Sequence, residues 1–150
     1  MKKLLLALIG VCCCASLFAA GSTTPQGWTD DFAAARQESQ KSGRPILLLF
    51  TGSDWCPACK MLKKKVLETE KFKKLAAEKL ILVYVDFPQH TKSSAEQRER
   101  NMALAKKYGI EAFPTTVILS PSGEERGRLE GFMPDYLTGV QATIELIKDK

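Results

Sequence analysis

Apolar positions follow two rhythms along this chain. Residues 45–50 (Pro-Ile-Leu-Leu-Leu-Phe) and 80–85 (Leu-Ile-Leu-Val-Tyr-Val) are continuous apolar runs, short enough to be strands and suited to burial on both faces of a sheet. Around them the apolar spacing becomes helical. A helix over 30–41 is expected, with Thr29 as its cap, Asp30 and Asp31 at the favourable end of the dipole, and Gly43 as its stop. Its inner stripe reads Phe32, Ala35 and Ser39. Pro57 suits a first helical turn, because its missing N–H would be unpaired there anyway, and Met61, Leu62, Val66 and Leu67 carry the same helix onward. Thr69 restarts a shorter helix over 70–78 that buries Phe72, Leu75 and Ala76.

The second half repeats these signals in another order. Residues 87–92 read as a loop, after which Ser93-Ser94-Ala95-Glu96 has the capping-box pattern. That helix runs to about 107, turns Met102, Leu104, Ala105 and Tyr108 inward, and leaves Glu96, Arg98, Glu99 and Arg100 in solvent. Residues 115–119 form a strand, Pro121-Ser122-Gly123 is turn chemistry, and 125–130 returns antiparallel. Pro134 opens a last helix with the stripe Leu137, Val140, Ile144 and Ile147. The order β-α-β then β-β-α predicts an α/β fold, with a mixed sheet and a right-handed crossover between its parallel strands. Residues 28–150 then make one domain, preceded by a polar linker over 21–27.

The first twenty residues belong to neither rhythm. Met1-Lys2-Lys3 precedes an apolar stretch over 4–20, broken only by Gly10 and Ser16, and Ala19, Ala20, Gly21 and Ser22 offer small residues for cleavage. This is the pattern of a secretory signal peptide, so a periplasmic or secreted protein is expected, with membrane contact only if the leader stays uncleaved. Cys12, Cys13 and Cys14 lack the leucine and small residue that a lipoprotein site needs before its cysteine. The formal charge of +5, or +3 without Lys2 and Lys3, is too mild to argue for nucleic acid.

Removing the leader takes three of the five cysteines and leaves Cys56 and Cys59. A bridge across so short a loop removes little chain entropy, which makes the pair a poor staple and a better redox switch. Cys56 falls at a helix N-terminus, where unpaired N–H groups and the dipole favour a thiolate, the attacking species. Cys59 lies one turn further in, where it should be more buried and within reach of the Cys56 sulfur. Trp55 reads either as an apolar docking platform beside the dithiol or as a core tryptophan, and Lys60 either as a thiolate partner or as a solvated lysine. The competing reading is a non-catalytic module that grips a soft ion such as Cu(I) through the same pair, or one that binds a partner protein. Structural zinc wants four ligands, whereas the chain offers one pair and the lone His90 of an exposed loop. A c-type haem would need histidine where Lys60 stands.

Residues 50–60, ending in Trp55-Cys56-Pro57-Ala58-Cys59-Lys60, together with Tyr108-Gly109-Ile110-Glu111-Ala112-Phe113-Pro114-Thr115 and Gly131, resemble the thioredoxin superfamily in the right order. The Gly52-Ser53-Asp54 before the tryptophan is similar to small secreted bacterial thioredoxin-like proteins. The resemblance implies a central mixed β-sheet with helices on both faces, and a thiol:disulfide oxidoreductase with Cys56 as nucleophile and Cys59 as resolving thiol. It implies a cis peptide before Pro114, and backbone pairing of Phe113 with an extended substrate segment beside Trp55. Partners would be protein thiols or disulfides and an unidentified redox protein that resets the pair, with no bound cofactor. Thioredoxin also has a buried aspartate and lysine on its central strands. Leu49 and Leu82 stand nearest those positions here, and Asp54 is expected to be exposed, so no general base is assigned. The motif alone leaves a range of about 150 mV, or ~7 kcal/mol, of redox poise open. Ala58, where strong oxidases carry histidine, tilts the reading towards a reductase.

Overall fold

Strand β1 (Ile46–Thr51), buried at every residue, is the axis of the molecule. It pairs in parallel with β2 (Ile81–Asp86) and antiparallel with β3 (Thr115–Leu119), which pairs antiparallel with β4 (Glu125–Glu130), giving the order β2-β1-β3-β4. The computed structural model describes residues 24–148. The expected leader and the first residues of the linker lie outside them. Among the described residues no helix is long and apolar enough to cross a membrane.

Alternation along β1 builds two cores. Leu47 and Leu49 pack with Leu62, Phe72, Tyr136, Val140 and Ile144, which brings α2 (Pro57–Leu62), α3 (Glu70–Lys79) and α5 (Tyr136–Lys148) onto one face. Ile46, Leu48 and Phe50 pack with Ala35, Leu104 and Tyr108, which brings α1 (Phe32–Ser42) and α4 (Ala95–Lys107) onto the other. The mixed sheet with helices on both faces is as expected.

Four local readings need correction. Asp31, not Thr29, caps α1, accepting the Ala34 N–H at 2.9 Å. Thr29 is instead held extended beside β2, donating its N–H to Leu82 O at 3.0 Å and accepting that of Tyr84 at 2.8 Å, which covers part of an open sheet edge. The motif helix does not run straight through: after Leu62 it widens into a π-helical turn (Lys63–Leu67), with the Glu68 N–H returning five residues to Lys63 O at 3.0 Å. The shifted register lets the adjacent Val66 and Leu67 both face the core. Met102 is 64% exposed, and its neighbour Asn101 takes the inward position because its amide donates to the last β2 carbonyl, Asp86 O, at 2.8 Å. Finally, Pro134 lies in the turn before α5, and the first helical residue, Tyr136, is fully buried with its hydroxyl 2.6 Å from Thr116 Oγ1. Leu137 and Ile147, expected in the buried stripe, are only partly buried against that core.

Candidate active site

The site begins where β1 ends. Gly52 O accepts the Cys56 N–H at 2.9 Å, closing a tight turn, and Cys56 then caps α2 in an extended conformation, φ −82° and ψ 113°. Its Sγ accepts the Cys59 N–H at 3.1 Å, and Pro57 occupies the first helical turn, as its chemistry demands. A hydrogen bond from that amide favours a negative sulfur over a neutral one. Cys56 and Cys59 form a disulfide with Cα atoms 5.3 Å apart. Both residues are 4% exposed, so in the closed bridge Cys59 is no more buried than Cys56, contrary to expectation; helical geometry alone did not account for the loop that covers Cys56.

That loop is 110–114. The Phe113–Pro114 peptide is cis, as the resemblance implied, and Phe113 O lies 3.7 Å from Cys56 Sγ. Gly131, at φ 74°, donates its N–H to Pro114 O at 2.7 Å and so ties the loop to the end of β4. Phe113 is half-buried, and Pro114 is buried and offers little surface of its own. The structure thus gathers Trp55, Cys56, Cys59, Phe113 and Pro114 at one end of the sheet.

An aromatic group flanks the sulfurs. Trp55 Nε1 donates to Phe87 O at 2.8 Å, its ring meets Phe113 edge-on at 5.9 Å, and Phe87 stacks on Phe113 at 5.1 Å. Trp55 is half-buried, neither a core residue nor a free flap. Sequence reasoning left Phe87 in a loop and missed this role.

Asp54 was also underestimated. Its carboxylate accepts the N–H groups of Gln89, His90 and Thr91 at 3.0, 2.8 and 2.8 Å, clamping the loop that carries Phe87. Those bonds, led by that of Gln89, hold its pKa at about 2. An aspartate directly before the tryptophan, followed far along the chain by a polar loop, was the available signal. Ser53 pins the same turn from the other side, donating N–H and Oγ–H to Asp86 at 2.9 and 2.5 Å. Lys60 Nζ turns to the Asp54 carbonyl at 2.8 Å, and His90 is exposed as expected.

The layer under the dithiol is apolar. Leu49 is 2% exposed and Leu82 is half-buried, both in the core beneath α2, and among the described residues no carboxylate or ammonium is buried. Burial and the Asp86 charge push the nearby Tyr84 phenol up to about 12, so it stays neutral at physiological pH. Among the described residues no three His, Cys, Asp or Glu side chains gather as a metal-binding group. The arrangement offers one two-electron couple, with an amide donor on Cys56 Sγ and a backbone carbonyl beside it.

The sequence profile of the thioredoxin-like domain matches residues 32–138, which include the dithiol and the Phe113–Pro114 loop. The chain is 34% identical over 148 residues to the disulfide bond reductase DsbH of Chlamydia pneumoniae, covering 90% of this chain and 88% of that protein. It is 33% identical over 105 residues to the thioredoxin-related protein DsbJ of the same organism, covering 70% of this chain but 30% of that one. Among solved structures, a DsbH oxidoreductase aligns with a TM-score of 0.73 at 32% identity, over 85% of this chain and 94% of that chain. A thioredoxin from Thermus thermophilus shares the fold, with a TM-score of 0.59 at 24% identity, over 79% and 85% of the two chains. With the profile covering most of the chain and its dithiol, this chain belongs to the thioredoxin-like domain family.

Proposed function

We propose that the protein is an extracytoplasmic thiol:disulfide oxidoreductase that works in the reducing direction on protein disulfides. The observation that carries the reading is the placement of Cys56 Sγ, capped by the Cys59 N–H at 3.1 Å and facing Phe113 O at 3.7 Å, within bonding reach of its partner sulfur. The Cys56 thiolate attacks one sulfur of a substrate disulfide; that bond breaks, its second sulfur leaves as a thiolate and takes a proton, and a mixed disulfide remains. Cys59, deprotonated, attacks Cys56 Sγ and releases the first substrate sulfur as a thiol. The substrate gains two electrons and two protons, and the protein is left with the Cys56–Cys59 bridge.

Trp55, Phe113 and Pro114 make up the substrate-binding site: Phe113 lends its backbone to an extended segment, Trp55 lends an apolar face, and the buried Pro114 fixes the loop from below. With no buried carboxylate beneath Cys59, its proton passes to solvent or to the leaving thiolate. The reducing direction is supported by the likeness to DsbH, named a disulfide bond reductase, along 88% of its length. Export is supported by the leader pattern over 1–20, with 21–27 as linker and 28–150 as the working domain. An electron-donor protein resets the bridge. A titration of the Cys56–Cys59 couple against glutathione tests the direction: a reductase should lie near or below about −230 mV, and a value near −120 mV would make the protein an oxidase.

A further inference from the structure

The positive charge of the domain is concentrated in the stretch of chain that follows the dithiol. Residues 60–79 hold eight lysines and three glutamates, a net +5, whereas the other residues from 21 onward hold twelve basic and fourteen acidic side chains, a net −2. This stretch starts at the residue after Cys59 and runs through the rest of α2, the π-helical turn and α3. Leu62, Val66, Leu67, Phe72 and Ala76 turn into the core, and all eight lysines are left exposed.

Few of those charges are used within the fold. Lys63 meets Glu68 at 3.7 Å, Lys73 meets Glu70 at 2.9 Å, and Lys60 rests on the Asp54 carbonyl. Lys64, Lys65, Lys71, Lys74 and Lys79 form no ion pair with any described residue. Lys71 and Lys74 are three apart in α3, a like-charge spacing that costs helix stability. Five of the eight charges are therefore left to act through their field.

We propose that this lysine face is the docking surface for a negatively charged redox partner protein, steering its cysteines to Cys56; the inference rests on the thiol:disulfide exchange proposed above. A single-signed field raises association rates by about 10 to 1,000-fold at low ionic strength, where charges act over a Debye length of about 30 Å. A protein fits better than a bilayer. Membrane-surface helices bury an apolar face with aromatic anchors in lipid, but α3 spends Phe72 and Ala76 on its own core. The large apolar side chain exposed on this stretch is Met61, 44% accessible and two residues from Cys59, where a protein partner can cover it.

The test compares two disulfide-bridged peptides with one ring sequence, flanked by glutamates or by lysines. Each rate with the reduced protein is divided by that protein's rate with neutral hydroxyethyl disulfide. The acidic peptide should react at least about ten times faster at ~10 mM salt, and the gap should close near 1 M, where the Debye length is about 3 Å. K64Q/K65Q/K71Q/K74Q should erase the preference and K64E/K65E/K71E/K74E should invert it. Equal peptide rates, or a preference untouched by either variant, overturn the docking surface and leave the exchange reading standing. Equal peptide rates with lysine-dependent binding to anionic vesicles overturn it in favour of a membrane. No reaction with hydroxyethyl disulfide defeats the exchange reading, and this inference with it.

Discussion

Replacing Gly52 by alanine tests how tightly Trp55 is seated. A Cβ at position 52 would overlap Trp55 Cε2 and lie 2.6 Å from Nε1 and 2.7 Å from Cζ2, closer than a methyl group can approach a ring. The ring has little room to yield, because Nε1 is bonded to Phe87 O and the ring edge meets Phe113. Overpacking costs about 1–3 kcal/mol and loss of the Nε1–H bond another ~0.5–1.5 kcal/mol, so Gly52→Ala should destabilise by roughly 1.5–4.5 kcal/mol. For a domain of this size each kcal/mol is worth about 3–5 °C, which puts the fall in Tm between about 5 and 20 °C. A double-mutant cycle isolates the cause. In a Trp55→Ala background the new methyl meets empty space, and its cost should drop below about 1 kcal/mol, giving a coupling of more than ~0.5 kcal/mol by urea unfolding. Additivity within about 0.5 kcal/mol would refute the tight seat and the collision it implies.

Three further outcomes follow from other parts of the fold. Tyr136→Phe leaves the fully buried Thr116 hydroxyl without its partner and should cost about 1–3 kcal/mol in urea unfolding, most of it recovered by adding Thr116→Val. Asp54 has a folded pKa of about 2, depressed from 3.8, so its hold on the loop is complete above the ordinary value and is lost as pH falls through about 2. The Gln89, His90 and Thr91 amide shifts should titrate near 2, and midpoints near 4 would show that these N–H bonds do not hold the carboxylate. Met102→Lys, at a 64% exposed position, should change stability by less than about 0.5 kcal/mol, and a loss of core-mutation size would restore Met102 to the interior.

Which features were legible in the chain follows from how local their causes are. The continuous apolar runs at 45–50 and 80–85 became β1 and β2 because burial on both faces leaves no polar position to alternate. The dithiol and Pro57 at the first turn were readable because each is a short motif with its own backbone chemistry, whereas the cis Phe113–Pro114 bond came only from the resemblance to the thioredoxin superfamily. Long-range hydrogen bonding was not readable. Asn101 displaced Met102 from the interior because a carbonyl fifteen residues away needed a donor, and Asp31 displaced Thr29 as a cap because Thr29 was needed along β2. Within the site, the Asp54 clamp and the part played by Phe87 depend on contacts more than thirty residues apart, which no periodicity encodes.

The central claim is that Cys56 attacks and Cys59 resolves. Cys59→Ala keeps the attacking sulfur and removes the second step, so the purified variant, mixed with a disulfide-bonded protein, should accumulate an adduct on Cys56 that mass spectrometry maps and reductant releases. The unmodified protein should show that adduct only transiently before its Cys56–Cys59 bridge closes. An adduct that accumulates on Cys59 of a Cys56→Ala variant instead, or no adduct from either variant, would contradict the account.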